Sequence, residues 1–104
     1  MKRAVIITAQ NFQDEEFTYP YYRLLEEGYH VEVATPDKID AHGKYGVPSR
    51  PTMDTKDLLA ADFDVVIIPG GFEAPDRLRI RKEVLAFVKE MYESDKIVAA
   101  ICHG

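Results

Sequence analysis

Lys96-Ile97-Val98-Ala99-Ala100-Ile101-Cys102-His103-Gly104 is the stretch around which the rest of the chain reads most coherently. Its apolar, partly β-branched run predicts a buried strand. The run stops in a small-x-Cys-x-Gly turn, Ala100 to Gly104. That is the layout of a nucleophile elbow, usually G-x-S-x-G, with cysteine in place of serine. Small residues permit the tight strand-to-helix turn that pushes the central side chain into a cleft. A helix after the turn would aim its N-terminal amides at Cys102 and favour the thiolate. The duller reading is a buried, inert cysteine beside a chance neighbour. The rest of the chain decides between them.

Working outward, a helix precedes this strand, with Ile80, Val84, Phe87, Val88 and Met91 on one face and an end near Ser94. Before it come Phe72-Glu73-Ala74-Pro75-Asp76 and a continuously apolar strand, Val65-Val66-Ile67-Ile68, stopped by Pro69-Gly70-Gly71. At the other end of the chain, Ala4-Val5-Ile6-Ile7 is a first buried strand, left through Thr8-Ala9-Gln10-Asn11-Phe12. Asp14-Glu15-Glu16-Phe17 opens a helix to Glu27, its early acids suiting the helix dipole. Phe17, Tyr21, Leu24 and Leu25 share one face of it, and Gly28 closes it as a C′ residue. Pro20 predicts a late start or a kink there. His30-Val31-Glu32-Val33-Ala34 alternates like a strand nearer the sheet edge, stopped by Thr35-Pro36. Residues 37–53 read as an excursion with a small hairpin or irregular loop, and Thr55 as the cap of a short helix through Ala60.

Strands alternating with helices imply an α/β fold: a flavodoxin-like parallel sheet sandwiched by helices, strand order 2-1-3-4. Ligands of such sheets bind at the carboxyl ends of the strands where the order reverses. The first strand brings the Asp14-Glu15-Glu16 loop to that rim, the third Gly70 and Gly71, and the fourth Cys102. A parallel sheet that ends on an exposed central strand leaves apolar surface uncovered. Residues 1–104 are therefore read as the N-terminal part of a single longer domain, lacking roughly 60–90 residues.

The chain of 104 residues has net charge −5 and 46% hydrophobic residues. An acidic balance argues against nucleic acid as the main partner. Arg77, Arg79, Arg81 and Lys82 form the one basic cluster, read as a solvated helix start. No apolar run approaches the roughly 20 residues of a membrane span, and the N-terminal stretch is too short for a signal peptide. A single cysteine rules out an internal disulfide, which makes a reducing cytoplasmic setting the default. His30 and His42 lie in no cluster with metal-ligand spacing, and no Walker or Rossmann glycine pattern occurs, so neither metal nor cofactor is expected.

Cys102 is the candidate nucleophile, and a free thiol with pKa about 8.5 needs activation at neutral pH. His103 would act as base if its ring folds back, or donate its backbone N–H to an oxyanion. Glu16 would reach Cys102 across the rim, and a carboxyl beside a thiolate must be protonated or be repelled. Gly70 and Gly71 allow backbone amides to approach a ligand closely and, with the His103 N–H, to form an oxyanion hole.

Val65-Val66-Ile67-Ile68-Pro69-Gly70-Gly71, Ala74-Pro75-Asp76-Arg77-Leu78-Arg79 and Ala100-Ile101-Cys102-His103-Gly104 together resemble the PfpI-like intracellular protease and deglycase family, within the class I glutamine-amidotransferase-like superfamily. Tyr19-Pro20-Tyr21, Arg23-Leu24 and Glu26-Glu27-Gly28 match its first helix. The resemblance implies Cys102 as elbow nucleophile with His103 as partner and Glu16 as the carboxyl contacting the cysteine. It further implies an oxyanion hole of Gly71 and the His103 amide. An acid after Pro-Gly-Gly reaching a neighbouring subunit's histidine would fall on Asp76. One additional residue near Phe72-Glu73 makes Glu73 a second candidate. Homodimers, or higher homo-oligomers, are implied as well.

Three function classes follow. The first is a cysteine-dependent hydrolase acting on small carbonyl compounds or glycated proteins, as a deglycase or cofactor-free glyoxalase. The second is a peptidase with a Cys-His-acid triad. The third is a redox-sensing or chaperone-like stress protein in which Cys102 oxidises to a sulfinic acid beside Glu16.

Overall fold

Ala4 to Ile7 and Val65 to Ile67 lie at the centre of the molecule, none more than 8% exposed. The structure, a computed structural model, describes residues 2–101. Five strands build one sheet: β1 (Arg3–Ile7), β2 (His30–Thr35), β3 (Met53–Asp54), β4 (Val65–Ile68) and β5 (Ile97–Ala100), in the order β3-β2-β1-β4-β5. All four pairings are parallel. Strands covered on both faces read as unbroken apolar runs, which is why Val5-Ile6-Ile7 and Val65-Val66-Ile67 show no alternation. The four expected strands are β1, β2, β4 and β5 and keep the expected order. The short β3 adds an outer edge beyond β2 that the excursion concealed.

Helix α1 (Asp14–Glu26) joins β1 to β2. Phe17 is buried and Tyr21 and Leu24 pack against the core, while Leu25 is 42% exposed. Residue 25 lies about 80° round the helix from Phe17 at 100° per residue, off the buried face. The expected late start at Pro20 does not occur: the helix begins at Asp14 and runs unbroken through the proline. Tyr21 stacks on Phe17 at 5.8 Å between centroids, and Phe17 meets Phe12 at 5.0 Å. These contacts hold the turn that lacks the proline's hydrogen bond. Tyr29 N–H donates to Leu24 O and Gly28 N–H to Leu25 O, a Schellman closure with Gly28 at φ 85°.

The single helix expected after β4 is two helices, α2 (Glu73–Arg79) and α3 (Lys82–Glu93). Ile80 ends α2 and is 80% exposed, so it is not part of the buried face. Arg81 is extended at φ −96°, ψ 111° and redirects the chain. Val84, Phe87 and Met91 then bury one face of α3, with Phe87 edge-on to Phe63 at 6.0 Å. Right-handed crossovers stepping in opposite directions from β1 and β4 set α1 and α3 on opposite sheet faces. Thr55 does not cap a helix through Ala60. Asp54 accepts from Lys56 N–H at the head of a 3-10 turn, Thr55–Asp57, and a second such turn spans Ala60–Asp62. The Thr55 hydroxyl instead donates to Glu83 on α3 at 2.8 Å.

The excursion forms an irregular turn with one antiparallel bridge, His42 to Pro48, and one parallel bridge from Gly43 to Phe12. Buried Asp14 holds it, accepting from Tyr45 N–H and Val47 N–H, both at 3.0 Å. A Cβ at Gly43 would stand 2.3 Å from Asp14 Oδ2, so only glycine lets this carboxylate sit under the turn. No described helix is long and apolar enough to cross a membrane.

Candidate active site

The sheet order reverses between β1 and β4, and the loops leaving those strands, 8–13 and 69–72, are stitched together there. Gln13 N–H donates to Gly70 O at 3.0 Å. Gly70 N–H donates in return to Glu16 Oε1 at 2.8 Å, which fixes a half-buried carboxylate at the carboxyl end of β4. Glu16 reaches this point because α1 starts close behind β1, in the first turn where acids complement the helix dipole. The Gly70 amide is thus committed to Glu16. No described residue accepts from the Gly71 N–H.

Gly71 is buried with φ 119°. A Cβ there would lie 3.0 Å from Asn11 O and 3.1 Å from Gln13 N. Both the dihedral and the close approach require glycine. Gly71→Ala is expected to cost about 1–3 kcal/mol through backbone strain and displacement of the 8–13 loop. Urea unfolding of the full-length gene product measures this, and a midpoint equal to the parent's would contradict it.

Glu73 opens α2 and faces the rim loop. Its carboxylate accepts from Asn11 Nδ2 at 2.6 Å and from Arg77 Nε. These bonds, Asn11 first, hold its carboxyl below the ordinary 4.5. The ionised form is the one bonded, so the stabilisation is present above the unfolded-state value near 4.5. It is lost as pH falls through the lower folded-state value. The gap in melting temperature between the parent and Glu73→Gln should therefore persist near neutral pH and narrow as pH falls below the ordinary 4.5; a constant gap would contradict the assignment. Asp76, one turn on, is directed elsewhere: its side chain is 69% exposed and paired with Arg79. Of the two candidate acids, Glu73 is the one tied to the rim.

Asn11 and Gln13, which sequence reasoning passed over, make this junction. Asn11 has φ 62°, the left-handed region that asparagine tolerates better than most residues, and this was its one legible signal. The basic cluster resolves into pairs: Arg77 with Glu73, Arg79 with Asp76, and Arg81 with Asp37. Lys56 and Arg81 together hold the Asp37 carboxyl below its usual range.

On the far side of β4, Ile101 N–H donates to Ile68 O at 3.1 Å, so β5 ends beside the Pro69-Gly70-Gly71 loop. Cys102, His103 and Gly104, with the expected elbow, lie outside the described residues. A recess of about 690 Å³ along α1 touches this region only through Asp14 and Glu15, and none of the candidate catalytic side chains lines it. Among the described residues no group of three or more His, Cys, Asp or Glu is placed to hold a metal ion.

The sequence matches the DJ-1/PfpI family over residues 2–104. Deglycase PfpI of Pyrococcus furiosus is 34% identical over 102 residues, covering 98% of this chain and 61% of that protein. General stress protein 18 of Bacillus subtilis is 35% identical over 106 residues, covering 99% of this chain and 60% of that protein. The chain thus spans about 60% of the length of these curated relatives. A solved two-domain protein from Anabaena variabilis, with DJ-1/ThiJ/PfpI-like and ferritin-like domains, superimposes with a TM-score of 0.94 at 36% identity. That match covers 99% of this chain and 31% of the other.

Proposed function

The chain belongs to the DJ-1/PfpI family, and on that premise we propose that it is the part of a cysteine-dependent enzyme that presents Cys102 to carbonyl adducts, as a deglycase or cofactor-free glyoxalase. The observation that carries this reading is the Glu16–Gly70 bond at the reversal of sheet order. It sets a carboxyl group on the rim beside which β5 ends, two residues before Cys102 in sequence.

In the proposed reaction the Cys102 thiolate adds to the aldehyde carbon of a 2-oxoaldehyde. The C–S bond forms as the carbonyl π pair moves onto oxygen, and the Gly71 and His103 amides face that oxyanion. The proton on the former aldehyde carbon passes to the neighbouring carbon through an enediolate, with Glu16 and His103 exchanging protons. This internal redox step converts the adduct to a 2-hydroxyacyl thioester and needs no outside oxidant. Water then cleaves the thioester, releasing a 2-hydroxy acid and regenerating the thiol. Small carbonyls and glycated proteins or peptides would reach the same sulfur.

The test is methylglyoxal consumption by the full-length gene product, with lactate measured alongside. Stoichiometric lactate supports the reading. No consumption by a folded protein whose Cys102 is alkylated quickly at neutral pH overturns it and turns attention to peptides.

A further inference from the structure

Gly71 sits between two cross-links to the loop that leaves β1. Before it, Gly70 O accepts from Gln13 N–H at 3.0 Å. After it, Glu73 Oε1 accepts from Asn11 Nδ2–H at 2.6 Å, across 62 positions of sequence. The first link fixes a direction. The 70–71 peptide is trans and planar, so the Gly71 N–H points opposite to the Gly70 C=O, away from Gln13. The second link fixes a position. Asn11 O would lie 3.0 Å from a Cβ at Gly71, so the Asn11 backbone walls one side of that glycine. Asn11 stands at φ 62° with its N–H on His42 O at 2.9 Å and its side chain on Glu73. Only the side-chain bond ties it to the chain that follows Gly71. Arg77 Nε donates to the other Glu73 oxygen, so the carboxylate is held from both sides.

We propose that Glu73 is a positioning residue: acting through Asn11, it holds the Gly71 N–H in place, and its carboxylate serves that bond and Arg77 rather than a histidine. The proposal rests on the carbonyl-directed reading above, in which the Gly71 amide faces the oxyanion. A donor of this kind works only when aimed at the place where charge develops. A misplacement on the order of 1 Å can cost about 10²-fold in rate. The Gln13–Gly70 link is made by backbone alone and survives any side chain. The Asn11–Glu73 link is made by two side chains, so substitution can remove it, soften it or rebuild it.

The experiment measures lactate formation from methylglyoxal by the full-length gene product, and separately the Gly71 amide NMR resonance without substrate. Glu73→Ala should lower kcat about tenfold to 10²-fold while KM changes less than about threefold, the split left when only transition-state stabilisation is lost. Glu73→Gln keeps an oxygen that accepts from Asn11, so it should recover most of that loss. Asn11→Asp tolerates the positive φ but sets carboxylate against carboxylate, and should lose as much as Glu73→Ala. Adding Glu73→Gln to it restores a donor and should bring back about tenfold. Without substrate, the Gly71 resonance should move in Glu73→Ala further than that of Gly28, beyond the end of α1. A Glu73→Ala protein that melts lower yet turns over within about threefold of the parent has lost a structural contact only, which overturns the proposal. Equal losses in Glu73→Gln and Glu73→Ala, or a double variant no better than Asn11→Asp, overturn it as well. A parent that consumes no methylglyoxal defeats the carbonyl-directed reading alone. The Gly71 resonance then decides, and if it is unmoved in Glu73→Ala the positioning role fails too.

Discussion

Cys102→Ser in the full-length gene product is expected to lower methylglyoxal turnover by at least about 10³-fold, with little change in melting temperature. The exchange keeps a small polar side chain, so the steric needs of the elbow expected from the sequence would remain met. The chemistry does not survive it. A cysteine is partly thiolate at neutral pH and is readily shifted further by a helix terminus or a cation. A serine hydroxyl needs a base to remove its proton during attack, and a site arranged around a thiolate supplies that poorly. Residues that act as one unit also fail together, so loss of the nucleophile should cost about as much as loss of its partners combined. The measurement is kcat/KM for lactate formation, with circular dichroism to confirm folding. Turnover within about threefold of the parent would remove Cys102 from the mechanism.

What could be read from the sequence was set by local, repeated signals. Val5-Ile6-Ile7 and Val65-Val66-Ile67 announce buried parallel strands because burial on both faces leaves no polar position in the run. Gly28 announces the end of α1 because the Schellman closure needs a positive φ. Where two readings compete locally, tertiary contacts decide and the sequence is mute. Ile80 has the spacing of a buried helical residue, yet Arg81 turns the chain and leaves it exposed. Pro20 breaks one hydrogen bond, yet Phe12, Phe17 and Tyr21 keep the helix whole. The candidate site divides in the same way. Glu16, Gly70 and Gly71 were legible as rim residues from strand order alone. That Gly70 would spend its amide on Glu16, or that Asn11 would choose Glu73 over Asp76, depends on distances between loops about 60 residues apart in sequence. Likewise, no pattern in the sequence marks Asp14 as the clamp of the 43–47 turn. Its carboxylate looks like any first-turn acid until Gly43 is seen packed against it.

Glu16 has one observed contact and one proposed duty, and two substitutions pull them apart. Its Oε1 accepts the buried Gly70 N–H at 2.8 Å, which anchors the 69–72 loop to α1. Its ability to exchange a proton is a different property. Glu16→Gln retains an acceptor oxygen of similar reach but has no exchangeable acid proton, so the loop should keep its place. Glu16→Ala removes both and leaves a buried amide without a partner, a loss of about 1–3 kcal/mol. The expected result is therefore asymmetric. In urea unfolding the glutamine variant should stay near the parent, while the alanine variant drops. In lactate formation both should lose about 10²- to 10⁴-fold in kcat/KM, the range for removing a positioned acid–base group. A glutamine variant within about threefold of the parent would confine Glu16 to holding the loop and shift proton transfer to His103. If the alanine variant keeps its stability, the Gly70 N–H finds another acceptor, and the 2.8 Å bond is not what positions the rim. Measured together, the two variants separate a carboxylate that reacts from one that only supports.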